Sequence, residues 1–272
     1  MNPHIAFLGG GNMANAIIGG MIKQGFNPSL LSVVEHNANT RDKLTEQFHI
    51  SCHESVSTVQ NVDIWVLAVK PQNMRDALTD LTPLLHTKQM LVSIAAGLTT
   101  ATLSSWSGNH SKIARTMPNT PAMVSQGVTG IFAPTSVFST DEQIALDNIF
   151  KTIGSTVWLD TESQIDSITA ISGSGPAYVF YMMEHLAAAA VELGFDSATA
   201  DLLVKQTFAG AVALANTSED SLTTLREKVT SKGGTTAAAL NAFSSDGMDK
   251  ALHHGTQAAC ERAKELAVEL AK

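Results

Sequence analysis

The segment VTSKGGTTAAAL, residues 229–240, places hydroxyl side chains and two adjacent glycines directly before a run of alanines. The two glycines lie between Ser231 and the pair Thr235 and Thr236. A helix that begins after glycines presents its first N–H groups without side-chain bulk, and such a helix end binds anions such as a carboxylate. The alternative is an ordinary loop followed by a helix with Thr235 near its N-terminal cap.

A second glycine-rich segment, GGGNMA, follows a short apolar run and opens a helical pattern. It has the form G-x-G-x-x-A. Gly9 allows the tight turn, Gly11 lets a pyrophosphate approach the backbone, and Ala14 keeps the helix close to the sheet. Between a strand and a helix this motif predicts dinucleotide binding. The alternative is a glycine-rich turn that has no ligand.

Glu35 stands at the end of the second predicted strand, where an acidic residue commonly binds the ribose 2′-hydroxyl of NAD. His36, Asn37 and Arg41 follow it and would suit the 2′-phosphate of NADP if Glu35 turned aside. A solvated carboxylate at the strand end fits the sequence equally well. This position leaves the choice between NAD(H) and NADP(H) open.

Strand and helix patterns alternate over residues 1–162, which we interpret as a dinucleotide-binding domain. Short apolar runs predict strands at residues 4–8, 31–35, 63–69, 90–95, 112–117, 127–133 and 156–159. Helical spacing between them predicts helices at residues 12–24, 41–48 and 141–153. The β-α-β order predicts a doubly wound, mainly parallel sheet of the Rossmann type.

Ligands bind outside the carboxyl ends of such strands, so residues 69–71, 95–97 and 117–121 should line the nicotinamide side. Lys70 would reach a ribose hydroxyl there or remain a surface lysine.

Residues 163–272 show helical spacing only and predict an all-α domain for dimerisation and substrate binding. The expected helices are residues 176–193, 197–217, 221–229, 235–245 and 247–271. SGSGPAYVF, residues 172–180, leads into the first of them. Its glycines predict a structural joint with a tight chain reversal between the domains, although Tyr178 would also suit a pocket.

Composition and charge indicate a folded globular protein and not a disordered one. The chain has 272 residues, is 44% hydrophobic and 15% charged, and carries a formal net charge of −8. We therefore expect no nucleic-acid partner. Two cysteines predict a reduced, cytoplasmic setting, and we expect neither a secretion signal nor a membrane span. His253 and His254 diverge on a helix and the other histidines lack ligand spacing, so we expect no metal site.

The motifs GGGNMA, AVKPQ, SIAAG, RTMPNTPA, SGSGPAYVF and VTSKGGTTAAAL occur in an order and spacing that resemble the pyrroline-5-carboxylate reductase family along nearly the whole chain. The resemblance implies reduction of Δ1-pyrroline-5-carboxylate to L-proline with NAD(P)H, the last step of proline biosynthesis. It also implies a homodimer of interlocking helical domains, often assembled further into a decamer of five dimers. The helical domain of a neighbouring chain would then complete the active site.

The resemblance also assigns roles to individual residues. Substrate contacts are implied at Ser231, Gly234, Thr235, Thr236, Glu219 and Glu162, with Thr236 as the catalytic residue. Cofactor contacts are implied at Leu8, Gly9, Gly10, Gly11, Asn12, Met13, Glu35, Ser55, Ala68, Val69, Lys70, Pro71, Ala95, Ala96, Gly97 and Asn119. The chain departs from the family at Lys232, where proline is common, and at Ser55, where asparagine is frequent. NADPH is the usual family preference, and Glu35 keeps NADH open.

The implied chemistry makes modest demands on side chains. An imine nitrogen takes a proton from water near neutral pH, so the site must mainly orient the ring and match its charges. Thr236 would hydrogen-bond the ring nitrogen. A β-hydroxyacid dehydrogenase would need a catalytic lysine, and Lys205 is a poor match for it. A non-catalytic NAD(P) sensor would not need the carboxylate site at residues 231–236.

Overall fold

The computed structural model describes residues 3–272. The chain forms two compact units. The first comprises the residues up to Ser174 together with Ala259–Lys272, and the second comprises Gly175–Ala258.

The first unit is built on one eight-stranded sheet in the order β3-β2-β1-β4-β5-β6-β7-β8. The strands are β1 Ile5–Leu8, β2 Leu31–Val34, β3 Ser51–His53, β4 Ile64–Leu67, β5 Met90–Ser93, β6 Ile113–Met117, β7 Gly127–Phe132 and β8 Gly154–Trp158. Only the β6–β7 pair is antiparallel. The strand order reverses between β1 and β4, which confirms the predicted doubly wound sheet and places the ligand crevice at their carboxyl ends.

Helices cover both faces of this sheet. They are α1 Asn12–Lys23, α2 Ala38–Phe48, α3 Met74–Leu81, α4 Thr100–Trp106, α5 Thr140–Lys151 and α6 Gln164–Ile168. On one face Ile17, Ile18 and Met21 of α1 are buried against the strands. On the other face the core includes Leu78 of α3 and Leu103 of α4. Burial on both sides explains why β1, β2, β4 and β5 are almost wholly apolar.

The second unit is entirely helical, as predicted. Its helices are α7 Gly175–Glu192, α8 Ser197–Thr217, α9 Leu222–Lys228, α10 Thr235–Ser245 and the start of α11 Met248–Leu270. Helices α7 and α8 pack on each other. Many large apolar side chains of this unit are exposed, among them Phe180 at 65%, Leu193 at 81% and Leu222 at 76%. Apolar faces of this extent indicate a surface that another chain covers.

The boundary predicted at residue 162 differs from this division. Helix α6 packs against β6 and β7, which keeps residues 163–174 with the sheet. The last part of α11 also belongs to the first unit, where Leu270 packs on the core of α3 and α4. An apolar helical pattern shows that a helix has a buried side but not which unit buries it, so the pattern could not give this division.

The tight reversal predicted at SGSG is wrong. Residues Thr169–Gly173 form a π-helical turn, and Ser174 keeps right-handed helical angles, with φ −85° and ψ −20°. A β-carbon on Gly173 would lie 2.9 Å from Cε of Met117, the movable end of a flexible side chain.

Helix α5 begins with a capping box that also carries an ion pair. Oγ of Ser139 accepts the Glu142 N–H, and the Glu142 carboxylate accepts the Ser139 N–H and binds Lys112. Burial raises the pKa of Glu142, but the hydrogen bonds from Lys112 and Ser139 outweigh it and hold the pKa below its usual value. The charged carboxylate therefore stabilises the fold above its unfolded-state pKa, and this contribution is lost as the pH falls through the folded-state pKa.

We expect Glu142→Gln to lower the melting temperature by about 2 °C at neutral pH, because the charge near the helix N-terminus and the ion pair are lost. The difference from the original chain should shrink as the pH falls and vanish once Glu142 itself is protonated in the folded protein. Thermal unfolding, followed by circular dichroism at several pH values, measures the difference in melting temperature and its dependence on pH. A difference that persists in acid would show that shape and not charge matters here.

Candidate active site

The turn after β1 has the geometry of a phosphate-binding loop. Gly9 has φ +106°, and a β-carbon there would lie 2.9 Å from the carbonyl carbon and oxygen of Ala68. Only glycine fits this position. At Gly11, by contrast, φ is −71° and a β-carbon would meet no described atom within 4 Å. The protein fold itself therefore does not require glycine at Gly11, which is consistent with close approach by a ligand.

Glu35 folds back onto this loop. Its Oε2 accepts the Gly10 N–H at 3.0 Å and its Oε1 accepts the Asn37 N–H at 2.9 Å. The Arg41 guanidinium donates to the backbone oxygens of Glu35 and His36 at 2.7 and 2.8 Å. One carboxylate and one guanidinium thus flank the end of β2, where the adenosine ribose lies in Rossmann proteins. The local charges alone do not select between a 2′-hydroxyl and a 2′-phosphate.

The segments after β4 and β5 lie at the same sheet edge as the glycine loop, because β1, β4 and β5 are neighbours. Ala68 and Val69 are half-buried, Lys70 is exposed, and Pro71 begins a short 3₁₀ helix. After β5, Ala95 is buried and Ala96 is half-buried. These residues and the loop at residues 8–13 are therefore brought together, as the sequence predicted for a cofactor crevice.

Gly97 makes a close contact within the first unit. It has φ +74°, and a β-carbon there would lie 2.9 Å from Cδ1 of Leu270 and 3.3 Å from Cβ of Leu266. The last turns of α11 thus pack directly against the segment that follows β5.

Ser55 and Asn119 have structural partners. Ser55 is exposed beyond the edge strand β3, and its Oγ accepts the Ser57 N–H at 3.3 Å. Asn119 is 8% exposed, and its amide donates to the Ser172 carbonyl at 2.9 Å and accepts the Val128 N–H at 2.8 Å. The Asn119 side chain ties the loop after β6 to neighbouring backbone, so contact with a cofactor stays a prediction for both residues.

In the second unit, residues 231–236 form a tight turn into α10. The Gly234 N–H donates to the Ser231 carbonyl at 3.0 Å, and a β-carbon on Gly234 would lie 2.5 Å from Ser231 Oγ. Gly233 has φ +75°. Thr235 is exposed and Thr236 half-buried. The predicted cluster of hydroxyls and glycines is therefore compact, and it surrounds the first turn of an 11-residue helix.

The two predicted anion sites lie at helix starts that have no side-chain cap. Helices α2, α4, α5, α8 and α9 begin after Asn37, Thr99, Ser139, Asp196 and Ser221, whose side chains each accept a first-turn N–H. Helices α1 and α10 begin after Gly11 and Gly234, which have no side-chain oxygen, and α11 begins in the same way after Gly247. Their first-turn N–H groups are left to solvent or ligand.

The two acidic residues predicted to bind substrate lie in different units. Glu219 is exposed between α8 and α9, in the same unit as Ser231. Glu162 lies in the first unit, and both of its carboxylate oxygens accept hydrogen bonds from Thr100. Glu162 also pairs with Arg115, a residue that the motif analysis missed. A charged residue inside the otherwise buried strand β6 is the signal that would have found it, because such a charge needs a partner.

Within residues 3–272, no three His, Cys, Asp or Glu side chains cluster as a metal would require. Over the same residues, the structure contains no helix that combines the length and the apolar character needed to cross a bilayer.

Two protein-family models match separate parts of the chain. Residues 162–266 match the model described as pyrroline-5-carboxylate reductase dimerisation. Residues 4–97 match the model described as NADP oxidoreductase coenzyme F420-dependent.

Similar proteins cover the whole chain. A pyrroline-5-carboxylate reductase of Pseudomonas aeruginosa is 40% identical over 98% of this chain and 98% of its own length. A pyrroline-5-carboxylate reductase of Haemophilus influenzae is 38% identical over 96% of this chain and 97% of its own length. Among solved structures, a pyrroline-5-carboxylate reductase from Coxiella burnetii has a TM-score of 0.93 at 38% identity. The match covers 98% of this chain and 99% of the Coxiella burnetii chain. The Plasmodium falciparum pyrroline carboxylate reductase, solved with NADP bound, has a TM-score of 0.85 at 29% identity, covering 98% of both chains.

Proposed function

Because the chain belongs to the pyrroline-5-carboxylate reductase family, we propose that it transfers a hydride from NAD(P)H to the C=N bond of Δ1-pyrroline-5-carboxylate and so forms L-proline. This is the last step of proline biosynthesis. The observation that carries the assignment of sites is that the glycine loop before α1 and the turn of residues 231–234 before α10, one in each unit, lead into helices whose first-turn N–H groups have no side-chain cap.

The first unit supplies the cofactor site. The α1 N-terminus and the loop at residues 8–13 hold the pyrophosphate, with Gly11 as the point of closest approach. Ala68, Val69, Lys70 and Pro71 border the ribose, and residues 95–97 border the nicotinamide. The cofactor supplies the hydride, and the protein fixes the direction in which it leaves.

The second unit supplies the substrate site. The α10 N-terminus, with the Ser231 and Thr235 hydroxyls, binds the substrate carboxylate, because converging N–H donors and the helix dipole favour negative charge. Thr236 hydrogen-bonds the ring nitrogen and holds the imine in the orientation for reduction. Exposed Glu219, in the same unit, favours the protonated imine by its charge. Hydride adds to the imine carbon while the nitrogen carries a proton from water.

We assign the exposed apolar faces of α7, α8 and α9 to a homodimer, in line with the dimerisation model that residues 162–266 match. A decamer of five dimers is our proposal for the full assembly. We place the enzyme in the cytoplasm, since its two cysteines are both free. Sedimentation velocity distinguishes a dimer from a decamer by mass.

The activity is tested directly by following oxidation of NADPH and of NADH with pyrroline-5-carboxylate supplied. The proposal predicts consumption that depends on the substrate and yields proline. Absence of turnover with both cofactors, in a preparation that binds either one, would contradict the proposed reaction.

Glu35 is expected to weaken the preference for NADPH, because its carboxylate lies where a 2′-phosphate would bring like charge. Glu35→Gln should therefore raise the ratio of kcat/KM for NADPH to that for NADH by about tenfold. Arg41→Gln is the matched change of opposite sign and should lower the same ratio. An unchanged ratio in both variants would place the 2′ position away from β2.

A further inference from the structure

A buried charge cluster joins three parts of the first unit. Glu162 Oε1 accepts the backbone N–H of Thr100 at 2.7 Å, and Oε2 accepts the Thr100 hydroxyl at 2.7 Å. Oε1 also lies 3.4 Å from Nη1 of Arg115. The Glu162 carboxylate thus binds both the backbone and the side chain of Thr100, the first residue of α4. Through Arg115 it also links α4 to β6.

Arg115 is the centre of this cluster. It is 2% exposed, and its Nη2 lies 3.3 Å from Oδ1 of Asp166, which is 9% exposed. Its Nε has no hydrogen-bond acceptor among residues 3–272. A guanidinium at this depth needs charged partners, so removal of either carboxylate leaves a costly buried charge. Both carboxylates are therefore held in place by the requirement to neutralise Arg115.

The cluster borders the segment that follows β5. Helix α4 begins at Thr100, three positions after Gly97. At the other end of the segment, the Thr116 hydroxyl of β6 donates to the Ser93 carbonyl at 3.0 Å. Strand β6 therefore holds both ends of residues 94–99, directly through Ser93 and indirectly through the Arg115 and Glu162 pair.

We propose that Glu162 and Arg115 are positioning residues that fix residues 95–97 against the nicotinamide half of the cofactor. The inference rests on the proposed function, which places the nicotinamide at this segment. It gives Glu162 a role different from the substrate contact that the resemblance implies, because each of its carboxylate oxygens accepts a hydrogen bond from Thr100 in the first unit. Glu162 acts on the cofactor through α4.

Two variants weaken the contact between Glu162 and the start of α4 to different degrees. Glu162→Gln keeps the shape but removes the charge that faces Arg115, and Thr100→Val removes only one hydroxyl donor. Thr100→Ser retains that hydroxyl and serves as the conservative rescue. Glu142→Gln is the matched control, because Glu142 also accepts a backbone N–H and binds a basic side chain, but at the start of α5.

The measurements are the Kd of NADPH from its fluorescence without substrate, kcat, the KM for pyrroline-5-carboxylate, and the melting temperature. Glu162→Gln should raise the NADPH Kd about tenfold and lower kcat at least as much, since small displacements of a reacting group are costly. The substrate KM should stay within about twofold. Thr100→Val should raise the Kd about threefold and Thr100→Ser should restore it.

Glu142→Gln should lower the melting temperature without changing the NADPH Kd. The inference is overturned if Glu162→Gln changes only the substrate KM, or if it leaves the NADPH Kd at the value of the unaltered chain. Failure of the proposed function is distinguishable from this result. In that case the unaltered chain would bind NADPH but would not reduce pyrroline-5-carboxylate.

Discussion

Replacing Thr236 by alanine is expected to reduce kcat by about a hundredfold to a thousandfold, while the NADPH Kd stays unchanged. The hydroxyl lies in the first turn of α10 and is the group we assign to the ring nitrogen. Loss of one oriented hydrogen-bond partner at a centre where charge changes during reaction costs about this much. Steady-state kinetics with both substrates varied, together with nucleotide fluorescence titration, measures the two effects separately.

Two further substitutions at Thr236 separate the hydroxyl from the shape of the side chain. Thr236→Val keeps the branched shape and should be as inactive as alanine. Thr236→Ser keeps the hydroxyl and should retain turnover within about tenfold. If valine were active, or if alanine weakened NADPH binding as much as turnover, Thr236 would have been assigned the wrong role.

Replacing Gly11 by alanine is expected to weaken NADPH binding by about tenfold to a hundredfold, with a melting temperature within about 3 °C of the original. A β-carbon on Gly11 meets no described atom within 4 Å, so the fold tolerates it. In the cofactor site that we propose, the same β-carbon would occupy space that the pyrophosphate needs at the start of α1. Fluorescence titration and thermal unfolding measure the two quantities.

Gly25→Ala gives the opposite pattern and serves as the control. Gly25 has φ +87° at the end of α1, and its β-carbon also meets no described atom within 4 Å. Alanine there should lower the melting temperature by a few degrees through backbone strain and leave NADPH binding unchanged. Normal NADPH affinity in Gly11→Ala would contradict our placement of the pyrophosphate.

The sequence predicted the elements whose signal is local. Residues 64–67 and 90–93 lie in long apolar runs, and the glycine loop sits between a strand and a helix, so β4, β5 and α1 follow from pattern alone. Strand β3 was missed because it has only three residues and a largely unburied edge position. Its Ser51 and His53 pair with β2, and nothing in three residues reveals that partner.

The candidate site was predicted unevenly for the same physical reason. Residues 231–236 are contiguous, so their turn could be read from the glycines and hydroxyls. The partners of Glu162 are 62 and 47 positions away, at Thr100 and Arg115, and only folding brings them together. The resemblance implied a substrate contact at Glu162, whereas the positioning role that we propose for it rests on these hydrogen bonds.

The packing of Leu270 against Gly97 has a practical consequence for engineering this enzyme. The last turn of α11 supports the segment after β5, and the Lys272 carbonyl lies 3.4 Å from Nη1 of Arg75. A substitution or insertion in that turn therefore acts on a loop that is remote in sequence, and its effect on kinetics should be measured against the unaltered chain.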